Sequence, residues 1–252
     1  MKTLATCFFF LFATLAHAGS APKFALADPS DVVAQRFLPG HDFEIGMTRS
    51  EVEAIISRKY AHWQKTENRE GLKAKQDAAS ATFTESITLE SRGQSPIADV
   101  YRLDFTSPLS GGTVYSIIRD VKFSHLPKDR LASDEWKKTI ARYWGKPYAA
   151  VGPDRDNLVQ AIFFFNDAGV ATARDKAFCT TIFGKVGAIS RKAADGDVAE
   201  VITGIEREGC RFFTEARAIV GEGGLLVRTA SRRTDMLSYA RDLAARASHA
   251  GR

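Results

Sequence analysis

Cys179 and Cys210 are the residues of this 252-residue chain whose type and spacing point most directly to chemistry. The third cysteine, Cys7, sits in an apolar N-terminal run. Two cysteines left after its removal most simply form a disulfide in an oxidising compartment. The loop closed is about 30 residues, worth on the order of 3–4 kcal/mol in the chain-entropy picture. Free thiols or a metal site are the rivals, but zinc needs about four ligands and no histidine lies between or near the pair. The histidines beyond residue 18 are His41, His62, His125 and His249, none in a paired metal spacing. His41-Asp42 could be half of a catalytic dyad, but no nucleophile or oxyanion donor can be placed beside it, and an adjacent pair in a Gly/Pro-bounded stretch reads as loop. Arg211 next to Cys210 would lower a thiol pKa, but no histidine stands near to act as base. No G-x-S-x-G elbow, S-x-x-K, Walker loop or dinucleotide fingerprint occurs. Gly184, Gly187 and Gly196 lack the spacing of a phosphate loop. The sequence therefore offers no catalytic residues, no cofactor-binding residues and no metal ligands. Two carboxylates brought together by the fold stay open as an alternative, because their sequence spacing is unconstrained.

The first eighteen residues set the compartment. Met1-Lys2-Thr3 is a positive start, Leu4 to Leu15 is mostly apolar around Phe8-Phe9-Phe10, and Ala16-His17-Ala18 precedes Gly19. That is the pattern of a secretory signal peptide with an A-x-A cleavage site. The apolar run of about a dozen residues is shorter than the roughly 20 needed to span a bilayer. Most of the apolar run follows Cys7 instead of preceding it, which argues against a lipobox. The expectation is a periplasmic or secreted protein with no transmembrane anchor after cleavage. The formal charge is +5, with bases and acids interspersed. That implies a mildly basic surface, or attraction to acidic envelope polymers or anionic headgroups. Nucleic acid is excluded as a partner: the compartment is wrong, and no basic stripe interleaves with stacking aromatics.

These residues are placed by alternating helical and extended patterns. Residues 19–42 read as a mobile N-terminal arm with one helical turn around Asp31 to Arg36. Thr48 and Glu51 form a T-x-x-E capping box, with Met47 and Val52 at the staple positions. Val52, Ile55, Ile56, Tyr60 and Trp63 recur at helical spacing, predicting a helix over about 48–60. Gln64 to Ala81 is polar, an exposed loop or a frayed helix. Period-two alternation then predicts three strands carrying Ile87 and Leu89, Tyr101 to Phe105, and Tyr115 to Phe123. Ser133 is a good N-cap for a second helix over about 134–144, ended by Gly145 and Pro147. Leu158–Phe165, Phe178–Phe183, Arg211–Val220 and Leu225–Ser231 read as further strands, and a C-terminal helix follows from about Thr234. The fold class is α+β, with short helices packed on antiparallel meanders. The helix-then-meander order repeats, so 43–126 and 127–252 read as two tandem helix-plus-sheet halves.

Ile45-Gly46-Met47-Thr48 followed by Glu51-Val52 resembles the opening "G-M-T-x-x-E-V" of the SmpA/OmlA (BamE-like) envelope modules. The layout is similar to the tandem arrangement of the beta-lactamase inhibitor protein family. Tyr143-Trp144-Gly145-Lys146-Pro147 is similar to the "K-Y-G-x-P" element of exported bacterial proteins with this layout. The resemblance implies short helices on an antiparallel sheet and a role in binding other proteins. It carries over no functional residues. The chain departs from those modules in lacking a lipobox and in being about twice their length.

Two clusters are candidates for a binding surface. Phe163-Phe164-Phe165 puts rings on both sheet faces, either all covered or forming an exposed patch around Phe163 and Phe165. Arg228 and Arg232, with Arg233 and Arg241, form either a solvated rim or a docking surface for an acidic partner. The expectation is an exported, non-catalytic protein that binds an unknown protein or envelope component through a sheet face. The alternative is an exported hydrolase with an unrecognised carboxylate site. Intact-mass measurement of the exported protein is expected to show a start near Gly19; a product retaining Met1 would overturn the reading of the leader.

Overall fold

The computed structural model describes residues 30–39, 42–72, 81–91, 98–151, 157–170, 177–182 and 195–251. The leader at 1–18, His41 and Phe183 lie outside the described residues. Eight strands make one antiparallel sheet. They are β1 (Gln64–Gly71), β2 (Thr82–Glu90), β3 (Ala98–Phe105), β4 (Val114–Lys122), β5 (Ala149–Val151), β6 (Leu158–Phe165), β7 (Phe212–Val220) and β8 (Leu226–Asp235). Their spatial order is β1-β2-β3-β4-β8-β7-β6-β5. The helices are α1 (Val32–Gln35), α2 (Arg49–Lys59), α3 (Ser133–Trp144), α4 (residues 177–182), α5 (Asp195–Glu208) and α6 (Met236–Gly251). The α+β class stands.

That strand order results when two four-strand meanders pair through their last strands. The halves are built alike. Thr48, the N-cap of α2, bridges Thr113 just before β4, and Ala132, the N-cap of α3, bridges Leu225 just before β8. The amide of Val114 donates to Met47 O and that of Leu226 to Leu131 O, each at 2.8 Å. One residue further on, the register of β3 with β4 slips at Tyr115, and that of β7 with β8 slips at Val227. The same correspondence superposes Arg119 on Ser231, and these two are direct partners across β4 and β8. A local two-fold axis therefore passes through the Arg119–Ser231 pair. The strands β1–β4 and β5–β8 thus correspond across that axis and share one sheet.

The first face of the sheet packs on α2 and α3. Glu51 N donates to Thr48 Oγ1 at 3.3 Å and Thr48 N to Glu51 Oε2 at 2.7 Å, completing the capping box. Val52, Ile56 and Tyr60 are buried behind it, and Trp63 packs edge-on to Tyr60. In α3 the N-cap is Ala132 and not Ser133, because the backbone there is held in the bridge to Leu225 and Ser133 already lies in the helix. Trp136, Ile140 and Trp144 are buried, and Trp144 meets Phe163 edge-on at 5.4 Å.

The arm is where the structure departs most from expectation. Far from mobile, residues 30–39 sit on the first face beside the axis. Ala34, Phe37 and Leu38 are at most 1% exposed. Buried Arg119 donates from Nη1 to Gln35 O at 2.7 Å and Leu38 O at 2.6 Å. Its other edge is paired with Asp99 at 2.7 Å, and its guanidinium lies 5.3 Å from the centre of the Tyr101 ring. Ser231 Oγ donates to Phe37 O. Asp31 accepts from Ala34 N and from Tyr143 Oη, tying the arm to α3. Three prolines and an alanine-rich composition hid these anchors, since the donors come from β4 and β8, about 80 and 200 residues away in sequence.

Other local differences have identifiable causes. Gln64 to Gly71 is an edge strand, not a loop or helix. No apolar alternation shows because its side chains are exposed or half-exposed. Lys65 bridges Glu53 of α2 and Glu67 at 2.8 Å each, joining strand to helix through charge. The predicted strand at 178–183 is helical over 177–182. The unpatterned stretch around Gly196 enters α5. Within α5 a Cβ on Gly204 would lie 1.8 Å from Phe178 Cζ, so only glycine lets α4 pack this closely. Cys179 and Cys210 are bonded, with Cα atoms 6.0 Å apart.

Among the described residues the second face is covered at one end. Buried Asp235 ends β8 and caps α6 by accepting from Ser238 N and Oγ, while Arg211 pairs with it at 2.7 Å. From there α6 crosses the sheet. Tyr239 stacks on Tyr115, the bulge residue, at 4.8 Å. Asp242 accepts from Ser107 N at 2.9 Å and Oγ at 2.5 Å. Arg246 lies over Phe83 and pairs with Asp242. Helix α5 packs on α6, and Phe164, Phe213, Ile205, Cys179 and Cys210 form the core beneath. Among the described residues no helix is long and apolar enough to cross a membrane.

Replacing Arg119 with Met leaves Asp99 and two arm carbonyls without their donor. Such a loss is expected to cost about 3–5 kcal/mol, read by chemical denaturation, and to open residues 30–39 to limited proteolysis. Unchanged stability would show that the arm is not held from β4. Converting both Cys179 and Cys210 to Ser is expected to cost about 2–5 kcal/mol, measured the same way.

Candidate binding face

Strand alternation divides the side chains of β4, β8, β7 and β6 into two sets. One set (Arg119, Ser231, Ala216 and Ala161, for example) faces the helices α2 and α3. The other faces the end of the second surface that α6 leaves uncovered. There the registers lay out a grid. Lys122, Arg228, Ile219 and Leu158 form one row across the strands. Asp120, Ala230, Arg217 and Gln160 form the next, and Ile118, Arg232, Glu215 and Ile162 the third. Arg102 and Asp104 of β3 extend the same surface. Between β3 and β7 five cations, Arg102, Lys122, Arg217, Arg228 and Arg232, face three carboxylates, Asp104, Asp120 and Glu215.

Each carboxylate holds an arginine. Asp104 takes Arg102 Nε at 2.7 Å, and Glu215 takes Arg217 Nε at 2.6 Å. Asp120 takes Arg228 through Nε at 2.8 Å and through Nη2. The bonded carboxylate of Asp120 holds the Arg228 guanidinium above its ordinary pKa. Gln160 Nε2 donates to Glu215 as well. A groove of about 290 Å³ opens on this surface, lined by Asp120, Leu158, Arg217, Ala218, Ile219, Arg228 and Ala230.

The structure separates the four residues expected to form a binding surface. Phe163 and Phe165 are 1% and 6% exposed and lie in the first-face core, so the exposed aromatic patch is corrected to buried packing against Trp144. Arg228 and Arg232 lie on the open second face. Arg233, one residue on, faces inward; burial pulls its pKa down to about 10 against the opposing charge of Glu44. Arg241 pairs with Glu206 across α5 and α6, away from the groove. Of the His41-Asp42 pair only Asp42 is described, bound to Lys59 and to Tyr60 Oη. Cys210 is bonded to Cys179 and Arg211 to Asp235, so that arginine has no thiol to activate. Among the described residues no three His, Cys, Asp or Glu side chains gather to hold a metal.

Sequence reasoning missed Asp120, Leu158, Arg217, Ile219 and Ala230. Their signal was present but inverted. In β7 the inward set Thr214, Ala216, Ala218 is no more apolar than the outward set Glu215, Arg217, Ile219. In β8 the inward set includes Thr229, Ser231 and Arg233. Alternation of hydrophobicity cannot show which side is buried when the buried side is small or polar.

Comparison with protein-family models, characterised proteins and solved structures finds no match to this chain.

Proposed function

We propose that this chain is an exported, non-catalytic protein that binds another protein or envelope component through the open end of its second sheet face. The observation that carries this is the grid just described: a stretch of sheet left uncovered among the described residues, grooved and charge-rich, on a molecule whose opposite face is closed by two helices and an arm. The arginine–carboxylate pairs favour binding over hydrolysis. Asp104, Asp120 and Glu215 are each engaged with a guanidinium, an arrangement that orients donors for a partner in preference to presenting a free carboxyl. The leader and the disulfide support export. The resemblance to BamE-like modules and to beta-lactamase inhibitor protein, with helix and meander repeated, supports a protein-binding role by analogy of layout.

The test is affinity capture from an envelope extract by the mature, disulfide-bonded protein and by an Arg102→Glu, Arg217→Glu double variant. Both arginines are half-exposed but their partners Asp104 and Glu215 are buried, so the double variant is expected to melt lower, and capture is read at a temperature where circular dichroism shows it folded. Capture of the partner is expected to fall about tenfold or more. A partner retained equally by both proteins would show that the open face is not the binding surface.

A further inference from the structure

We propose that the groove centred on Ala230 is a carboxylate-recognition subsite, and that its occupant is an acidic segment of a partner protein with apolar side chains beside the carboxylates. This rests on the open sheet face being the binding surface.

Ala230 is the small residue between Arg217, Arg228 and Asp120 in the groove lining. Arg228 and Arg232 flank it at two residues' distance on β8, on the same face. Arg217 stands directly opposite it on β7, and Asp120 directly opposite on β4. Directly opposed side chains start about 5 Å apart, and same-face neighbours along a strand about 7 Å apart. Two guanidiniums, Arg217 and Arg228, therefore flank a methyl-floored depression with Asp120 beside it, while Arg232 turns along β8 to donate from Nε to Thr234 Oγ1. The alanine matters: a larger residue there would fill the space between the two cations.

Two of the guanidiniums are oriented with donors to spare. Arg217 binds Glu215 through Nε alone, and among the described residues its two Nη atoms have no partner. Arg228 binds Asp120 through Nε and Nη2, and its Nη1 is likewise open. A planar fork held from behind by a carboxylate is ready to bind a second carboxylate in front, with little ordering left to do. Leu158 and Ile219 continue the groove on its other side, and Ile219 is 36% exposed. The groove thus joins cationic donors to an apolar wall.

That pairing selects a class of partner. Sugar rings and bases are bound over aromatic faces, and no Phe, Tyr or Trp is exposed among the described residues. A lipid surface needs a contiguous apolar patch, and Ile219 is the one exposed large apolar residue on this face among those described. An extended peptide carries alternate side chains to one side at about 7 Å spacing. It can seat a Glu or Asp over Ala230 and an apolar neighbour against Ile219 and Leu158.

The test uses the mature, disulfide-bonded chain at low ionic strength. The probes are the peptide Ac-Glu-Leu-Glu-Leu-Glu-NH2, its Gln-for-Glu analogue and glutarate, each followed by backbone amide shifts. The Glu peptide is expected to shift amides at 217–219 and 228–232. The Gln analogue is expected to bind about tenfold or more weakly, as is the Glu peptide to Arg217→Gln and Arg228→Gln, because a charge-assisted bond is lost in each case. Added salt should weaken the Glu peptide and spare the analogue. Equal affinity for the two peptides, absence of binding, or shifts confined to other strands would overturn the proposal. The peptide comparison on the parent protein decides this even if a variant fails to fold. Glutarate binding as tightly as the Glu peptide would overturn the choice of a protein segment, since the site would then serve small carboxylates. Failure of the Glu peptide alongside partner capture that depends on Arg102 and Arg217 would retire the subsite and leave the binding face standing.

Discussion

The antiparallel pairing of β4 with β8 is the constraint on which the rest of the structure depends. Without it each half would be a four-stranded meander with one helix and two open edges. Joining the last strands removes an edge from each half and makes one continuous sheet. The junction carries a cost. Two helices placed by a two-fold axis leave a gap above the axis, and the residues beneath that gap, Arg119, Ser231 and Arg233, are polar. The arm fills the gap with Ala34, Phe37 and Leu38, and its carbonyls meet the donors of Arg119 and Ser231. A buried guanidinium is tolerable only where its charge is matched and its N–H groups are used. Asp99, two carbonyls and the Tyr101 ring meet that condition. The arm and the junction are thus parts of a single solution.

The repeat is symmetric on the first face and asymmetric on the second. Both halves have a helix over the first face, started from a bridge to the residue before the last strand. Between β6 and β7, however, the chain makes α4 and α5, where β2 and β3 are joined by a short connection. After β8 it makes α6. These additions lie together, fastened by the disulfide and by Asp235, Asp242 and Gly204. They close one end of the second face over Phe164 and Phe213. The other end stays uncovered, and the grooved, cation-rich surface lies there.

The parts legible in the sequence were those whose cause is local. The capping box at Thr48 and Glu51, the apolar stripes of α2 and α3, and the alternation in β2 and β3 each specify their element within a few residues. The disulfide was legible from parity and compartment. What failed was long-range. β1 is a strand because β2 pairs with it, and its charges answer those of α2. Residues 177–182 are helical although Phe178 and Ile182 look extended by propensity, because tertiary packing against Gly204 decides between the two. Tyr115 points to α6 because a bulge breaks the alternation there. The correspondence of the halves lies in bridges and bulges, backbone features that different residues make equally well.

The candidate face was half legible for a related reason. Arg228 and Arg232 stand out by charge, but β7 and β8 bury Thr, Ser, Ala and Arg on the inner side, so charge alone does not show which arginines are inside. Arg233 is buried and Arg232 is not, and only the register tells them apart. On the open face the carboxylates of Asp104 and Glu215 are buried beneath Arg102 and Arg217, so removing either arginine would strand a buried charge. Asp120 is more exposed, and its pair with Arg228 contributes about 0–1 kcal/mol. The shared effect of the three pairs is to fix where guanidinium edges sit on the end of the second face that α5 and α6 leave open among the described residues.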